Sequence, residues 1–103
     1  LQAKANPNTK NSYGNTPLHW ASIHGHVDVA RLLLQFKANS NTKNKAGNTP
    51  LHWASSYGQV DMGRLLLQFK ADPNTKNKNG NTPLHCTSNP EMKQLLESSM
   101  QVE

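Results

Sequence analysis

The feature that most constrains the fold of this chain is an internal repeat with a period of 33 residues. The segment GNTPLHWAS at positions 14–22 returns at 47–55 and, as GNTPLHCTS, at 80–88. Residues 11–43 and 44–76 are identical at 24 of 33 positions. A period of this length is typical of proteins built from one supersecondary unit that stacks on its neighbours. The chain is therefore predicted to be a short stack of similar layers.

Each repeat carries the sequence signals of a helix pair. A threonine that can cap a helix is followed by a proline at the first helical position, where proline loses no hydrogen bond, at Thr16, Thr49 and Thr82. Glycine can adopt the left-handed conformation that ends a helix. The first helix is therefore predicted to close at Gly25 in one repeat and at Gly58 in the next.

A second, amphipathic helix is predicted after this turn. Apolar residues recur at the spacing i, i+3, i+4, i+7 in both full repeats, as Val29, Leu32, Leu33, Phe36 and as Met62, Leu65, Leu66, Phe69. The stretches that follow are rich in Asn, Lys, Pro and Gly, which favour tight turns. They are predicted to form hairpin-like connections between the layers.

The apolar composition fits a stack better than a single central core. Leu, Val, Ile and Phe account for 19 of 103 residues, below the roughly 20% at which disorder becomes an alternative. Layers that share one continuous core each need fewer apolar residues of their own. The repeat thus explains how a leucine-poor chain can fold.

These motifs together resemble the ankyrin repeat. The resemblance rests on T-P-L-H at the helix start, the 33-residue period, glycine before the second helix, L-L-L within it and A-[ND]-x-N after it. It implies an all-α fold, an ankyrin-repeat solenoid of stacked helix-turn-helix layers with β-hairpin-like fingers. It also implies a concave surface that is formed by the fingers and the first helices.

The resemblance covers the chain as one domain, 1–103. Residues 1–10 match the end of a repeat, 11–43 and 44–76 are full repeats, and 77–103 are a shortened C-terminal capping repeat in which Pro90 restarts the helix. Glu97 stands where the previous repeat has Leu67, which indicates a polar outer face. The first layer should expose an apolar face instead, and we expect end-to-end self-association through it.

One departure from the family pattern predicts local strain. Where ankyrin repeats usually have glycine after the second helix, this chain has Lys4, Lys37 and Lys70. A positive φ at a lysine costs about 1 kcal/mol.

The histidines are predicted to be structural. His19, His52 and His85 lie three residues after the capping threonines, where each ring can bond the threonine and the backbone of the adjoining layer. Layers about 10 Å apart are too distant to share a metal ion. His24 and His26 have no third ligand, so neither a metal nor another cofactor is expected.

An enzyme is not predicted. Cys86 replaces Trp20 and Trp53 at the aligned position and has no histidine and acid arranged around it in its repeat, as a nucleophile needs. The chain lacks a phosphate-binding glycine loop, a signal-peptide pattern and an apolar run that could cross a membrane. A cytoplasmic protein without membrane contact is expected.

The lysines are unevenly distributed along this chain, which has a net charge of +5. Lys10, Lys43 and Lys76 occupy one aligned finger position, and Lys45 and Lys78 lie beside them. Spaced near a Debye length, they create a positive strip. The strip is either a solubilising surface, a docking site for an acidic protein segment or, ranked last because it lacks stacking groups, a nucleic-acid surface.

The two full repeats differ at nine positions, and four of these lie at the finger tip and the end of the first helix. The resemblance implies that ankyrin domains recognise partners through such positions, although drift at free surface sites would look the same. The predicted partner-binding residues are Lys10, Tyr13, Asn15, Ile23, His24, Lys43, Lys45, Asn48, Ser56, Tyr57, Lys76, Lys78 and Asn81.

The function predicted from the sequence is a non-catalytic protein–protein interaction module with a concave basic and aromatic surface. The alternative is an anion or nucleic-acid-binding surface built on the finger lysines. A third interpretation, a purely structural spacer, predicts that Tyr13, His24, Lys45 and Tyr57 can be replaced without loss of a partner.

Overall fold

Threonine–proline pairs start the first helix of every layer. The computed structural model describes residues 6–100. Helix α1 spans Pro17–His24 and α3 spans Pro50–Ser56, while the third layer has only a 3₁₀ helix, Pro83–Cys86. The hydroxyl of Thr16 accepts a hydrogen bond from the backbone N–H of His19 at 3.4 Å. The hydroxyl of Thr49 accepts from His52 in the same way at 3.3 Å, so the caps predicted at Thr16 and Thr49 are present. In the third layer the N–H of His85 donates instead to the backbone carbonyl of Thr82 at 3.0 Å.

The second helices follow after short turns. They are α2, Val27–Gln35, α4, Val60–Gln68, and α5, Pro90–Met100. Helix α1 closes at Gly25 with φ 70°, as predicted. Helix α3 ends differently, since Tyr57 is its C-cap residue and Gly58, with φ 64°, follows it.

The helix pairs stack in chain order. Helix α1 contacts α3, and α3 contacts the 3₁₀ helix, while α2 contacts α4 and α4 contacts α5. The core runs through all three layers, and the largest side chains in it are fully buried: Leu18, Leu51, Met62, Leu66, Met92 and Leu96. This is the all-α ankyrin-repeat arrangement that the sequence predicted. Within residues 6–100, no helix has the length and apolar character needed to cross a membrane.

The fingers are turns at 11–15, 44–48 and 77–81 that bond to one another. In the first, the N–H of Asn11 donates to the carbonyl of Asn15 at 2.9 Å, which closes a hairpin-like loop. The N–H of Lys45 then donates to the carbonyl of Tyr13 at 3.0 Å, and the N–H of Lys78 donates to that of Ala46 at 3.0 Å. The fingers are thus a continuous part of the stack.

Asparagine side chains tie each layer to the next at the other end of the finger loops. The amide of Asn41 donates to the carbonyl of Lys70 at 3.0 Å and accepts from the N–H of Asp72 at 2.7 Å. Asn8 makes the equivalent pair of bonds one layer earlier. These bonds satisfy backbone groups that the loops would otherwise leave without partners.

Two of the three lysines predicted to be strained have a positive φ. The angle is 74° at Lys37 and 73° at Lys70, which confirms the prediction for both residues. Lys4 lies outside the described residues. Each of the two lysines ends a second helix, because its N–H donates to the carbonyl three residues earlier at 3.1 Å.

The third layer has a polar outer surface. Met92 and Leu96 are buried and Leu95 is half-buried, so the inward stripe is kept. Glu97 is exposed, whereas Leu67 at the aligned position is half-buried under this layer. The capping role of this layer stays a prediction.

Candidate functional site

Buried histidines fix the starts of the first helices, beside the predicted partner-binding surface. The Nδ1 atom of His19 accepts the backbone N–H of Thr16 at 2.9 Å, and Nε2 lies 2.9 Å from the carbonyl of Asn48 in the next layer. Because Nδ1 is an acceptor, the proton of the neutral ring is on Nε2 and is donated to Asn48. His52 repeats this arrangement with Thr49 and Asn81.

This environment lowers the pKa of both rings. Burial of His19 is the main cause of its lowered pKa, and the charge of Lys10 lowers it further, while the bond to the carbonyl of Asn48 acts the other way. Burial and the charge of Lys43 lower the pKa of His52 in the same manner. The two histidines therefore stay neutral, and their bonds to the caps and to the next layer give them the structural role that the sequence analysis predicted.

The finger lysines lie close to these helix starts. The charge of Lys10 acts on His19 and that of Lys43 acts on His52. Lys10 also lines one surface hollow together with Thr16 and Trp20. The ammonium of Lys10 also donates to the carbonyl of Lys43 at 3.0 Å, which lies one layer further on. All five lysines of the predicted strip are exposed: Lys10, Lys43, Lys45, Lys76 and Lys78.

Aromatic side chains lie along the first helices. The ring of Trp20 packs against the rings of His24 and His26 at centroid distances of 4.8 Å each. In the next layer the rings of Trp53 and Tyr57 lie 6.1 Å apart. The sequence analysis assigned no role to His26 beyond excluding a metal, and the spacing of Trp20, His24 and His26 around one helix end was the signal that could have shown this cluster.

Both tyrosines among the predicted contact residues are exposed. Tyr13 at the first finger tip is 71% exposed, and Tyr57 at the end of α3 is 55% exposed. His24 and Ser56 are also exposed, and Ile23 is half-buried. A partner could contact these exposed side chains without any rearrangement of the core.

The finger asparagines have structural bonds of their own. The side-chain oxygen of Asn15 accepts from the amide of Asn44 at 2.9 Å, and Asn48 accepts from Asn77 in the same way. Asn81 is half-buried and its carbonyl accepts from His52. The oxygens of Asn15 and Asn48 are thus engaged inside the stack, which leaves the lysines and tyrosines as the stronger contact candidates.

The described residues offer neither an activated cysteine nor a group of metal ligands. Cys86 is half-buried, and burial raises the pKa of its thiol, which disfavours the nucleophilic thiolate. Within residues 6–100, no three side chains of His, Cys, Asp or Glu are grouped so that they could hold a metal ion.

A comparison of the sequence with models of known protein families agrees with the layered helical fold. A model of ankyrin repeats in three copies matches residues 1–77. The third layer's helices lie beyond the matched segment. No curated protein matches the chain. Ankyrin repeats generally mediate binding to other proteins, and the family is generally non-enzymatic. Since the match spans well over half of its length, this chain belongs to the ankyrin repeat family.

Proposed function

We propose that this chain is a non-catalytic binding module that recognises an acidic segment of another protein through its fingers and first helices. The observation that supports the proposal most directly is the exposure of Tyr13 at the first finger tip and of Tyr57 at the end of α3. Tyrosine is enriched among the residues that dominate interface energies. These two positions also differ between otherwise similar repeats.

Charge supports an acidic partner. The chain has a net charge of +5, and the exposed Lys10, Lys43 and Lys76 recur at one aligned position, directly before each of the three fingers. Like charges at about a Debye length repel one another weakly, and a row of carboxylates would relieve that repulsion. Because the helices and fingers are bonded to one another before a partner arrives, little ordering cost opposes binding.

Two further assignments belong to this proposal. The apolar side chains of Val29, Leu32 and Phe36, which are exposed in the described part of the chain, support end-to-end self-association. The cytoplasm is the proposed compartment, because the single cysteine offers no internal disulfide.

A peptide-binding measurement tests the acidic-segment proposal. Fluorescence anisotropy would compare a labelled Glu-rich peptide with a Gln-rich peptide of equal length. We expect only the Glu-rich peptide to bind, and replacement of Tyr13 and Tyr57 together by alanine should weaken it at least about tenfold. Equal affinity for the two peptides would exclude recognition of acidic charge.

Two controls separate the alternatives. Phe36→Ala changes an exposed aromatic residue outside the proposed site and should leave peptide binding unchanged. Duplex DNA serves as the second probe, because phosphate binding weakens with salt at a log–log slope of about −0.9 per contact. DNA that binds with such a slope while the Glu-rich peptide does not would favour the nucleic-acid alternative. Full retention of binding in the double tyrosine variant would exclude the two tyrosines from the site, and absence of binding to either peptide and to DNA would favour the spacer interpretation.

A further inference from the structure

The third finger contains an Asn-Gly pair, the only one in the sequence. Asn79 stands at the position that Tyr13 and Ala46 occupy in the other two fingers, and Gly80 follows it. The backbone nitrogen of the following residue can attack the side-chain carbonyl carbon of an asparagine, and glycine has no Cβ that hinders this approach. Every other asparagine of the chain is followed by a residue that has a side chain. Asn79 is therefore the asparagine best suited to react with its own backbone.

The side chain of Asn79 is accessible to water. It is exposed, and the same position is also exposed in the fingers that have a neighbour. Tyr13 is 71% exposed although its carbonyl accepts the N–H of Lys45 from the next finger, and Ala46 is exposed although its carbonyl accepts the N–H of Lys78. The exposure of Asn79 thus follows from its place at a finger tip and does not depend on whether another finger lies beside it.

The side chain of Asn79 is also unrestrained, unlike that of the asparagine two residues earlier. The side-chain oxygen of Asn77 accepts the N–H groups of Asn79 and Asn81, each at 3.0 Å, and its amide donates to Asn48 at 2.9 Å. Asn79 takes part in this network through its backbone N–H, and its side chain makes no hydrogen bond within residues 6–100. Its Cγ can therefore turn towards the backbone of Gly80.

One hydrogen bond restrains the attacking nitrogen. The N–H of Gly80 donates to the carbonyl of Asn77 at 2.9 Å, and this bond must open before the nitrogen can lose its proton. The bonds between Asn77 and Asn81 at the base of the finger involve neither of the reacting atoms. Among the described residues, nothing lies within 4 Å of the place of a Cβ on Gly80, so the tip can move without a clash. The reaction thus requires opening of the finger tip alone.

We propose that Asn79 is a site of spontaneous deamidation in this chain. The nitrogen of Gly80 loses its proton to hydroxide and bonds to Cγ of Asn79, and the side-chain nitrogen leaves as ammonia after taking up a proton. Water then opens the resulting succinimide at one of its two carbonyl carbons, which leaves aspartate or isoaspartate at this position. No electrons are gained or lost, and water is the only other reactant.

The modification changes the charge of the finger. A carboxylate replaces a neutral amide beside the exposed Lys78, so the net charge of the chain falls by one from +5. A carboxylate at this tip repels an acidic partner. The modified chain should therefore bind the Glu-rich peptide about two- to fivefold more weakly, the size of an exposed charge interaction. This consequence, unlike the modification itself, rests on the function proposed above.

Peptide mapping by mass spectrometry tests the proposal on the 103-residue chain after incubation at mildly alkaline pH. We expect Asn79 to be converted while the other asparagines stay intact, with a rate that rises with pH because the attacking nitrogen must lose a proton. A protein isoaspartate methyltransferase should label the product. A synthetic peptide of residues 76–82 serves as the reference, and it should react faster because no folded finger restrains it.

Three variants test the chemistry and the role of the finger. Asn79→Gln keeps an amide but must form a larger ring, so it should stay unmodified. Gly80→Ala should slow the reaction of Asn79 at least about tenfold, because a Cβ hinders the attacking nitrogen. Ala46→Asn creates a second Asn-Gly pair in a finger whose tip carbonyl is bonded to Lys78, and this pair should react more slowly than Asn79. Far-UV circular dichroism confirms that the variants are folded.

The proposal would be overturned by an intact Asn79 under conditions that convert the peptide, by equal conversion of the other asparagines, or by an unchanged rate in folded Gly80→Ala. Equal or faster conversion of the new pair in Ala46→Asn would overturn the route through an opened tip. Mass spectrometry detects the modification without a partner. Failure of the Glu-rich peptide to bind the unmodified chain would therefore refute only the acidic-segment proposal.

Discussion

At the scale of single residues, the buried histidines connect one layer to the next. His52 accepts from the backbone of its own cap at Nδ1, 3.0 Å from the N–H of Thr49, and donates from Nε2 to Asn81 at 2.8 Å. A second proton on the ring would place a donor against the N–H of Thr49. The neutral ring is therefore part of the folded structure, and protonation opposes folding.

This arrangement predicts a loss of stability in mild acid. The pKa of His19 and of His52 is lowered in the folded chain, so the unfolded chain binds protons first as pH falls. The stabilisation is complete above the ordinary histidine pKa of about 6.5. It is lost as pH falls below that value and through the folded-state pKa. Urea unfolding across this range should show a decreasing free energy of unfolding.

Single substitutions show which histidine causes the pH dependence of stability. His52→Asn should lower the free energy of unfolding at neutral pH by about 1 to 3 kcal/mol, because it leaves buried groups without partners, and should reduce the pH dependence. His85→Asn is the control, since His85 is exposed and bonds only its own cap among the described residues. A pH dependence as steep in His52→Asn as in the wild type would contradict the assignment.

At the scale of elements, the fingers depend on close contact between layers. Gly47 has φ 81°, and a Cβ on it would lie 2.9 Å from the backbone nitrogen of Lys78 in the next finger. Gly80 has the same φ, but nothing lies within 4 Å of where its Cβ would be. Both glycines therefore require a left-handed backbone, but only Gly47 also lies against a neighbouring layer.

Alanine substitutions at Gly47 and Gly80 should separate the energetic cost of the left-handed backbone from that of the contact between layers. Gly80→Ala is expected to cost about 1 kcal/mol, the strain of a left-handed non-glycine residue. Gly47→Ala should cost more, by roughly 1 to 3 kcal/mol, because the added methyl group overlaps with backbone that cannot move away freely. Thermal unfolding of both variants measures the difference. Equal losses would mean that the fingers do not pack as tightly as the structure indicates.

The third layer shows how a deletion changes an element. It has a 3₁₀ helix at Pro83–Cys86 where the other layers have α-helices, and α5 begins at Pro90. Its second helix still buries Met92 and Leu96 against α4. The layer with the shortened turn thus has a 3₁₀ helix in place of the first α-helix, while its second helix still packs on α4 and closes the core.

At the scale of the whole molecule, positive charge is poorly compensated. Among the described residues there is one ion pair, Arg64 with Asp61 at 3.1 Å, and both side chains are exposed. An exposed pair of this kind contributes little to stability. The net charge of +5 therefore acts on the stack mainly as self-repulsion.

Salt should consequently stabilise the monomer. Raising ionic strength from about 0.01 M to about 0.1 M shortens the Debye length from ~30 Å to ~10 Å. We expect the free energy of unfolding to rise by about 0.5 kcal/mol, in line with exposed charge interactions. Urea unfolding at a protein concentration where the chain is monomeric provides the measurement.

A lysine variant tests the origin of the salt effect. Lys43→Gln removes one charge near the cap of α3 and should raise stability at low salt and flatten the salt dependence. Arg64→Gln removes a charge that already has a partner and should not raise it. A stability that falls with salt in the wild type would show that attraction, not repulsion, dominates.

Sequence reasoning was strongest where a residue's role is local. The caps at Thr16 and Thr49, the end of α1 at Gly25 and the positive φ at Lys37 all follow from backbone requirements within a few residues. The sequence analysis missed the packing of Trp20 against His24 and His26: their spacing places the three rings at one helix end, but the ring contacts themselves depend on rotamers that the whole layer selects. The same holds for Asn15, whose exposure depends on the neighbouring finger.

By itself, the sequence determined the number of layers, the order of their helices and the residues that face inward, because a 33-residue period repeats the same local signals and the same apolar stripe. The sequence also predicted an exposed apolar face on the first layer, and only the tertiary structure decided how far each copy of a repeated residue is exposed. Leu32 and Leu65 are the same residue at the same repeat position, yet one is 41% exposed and the other 2%. Burial depends on whether a neighbouring layer covers the position, and a local sequence pattern does not contain that information.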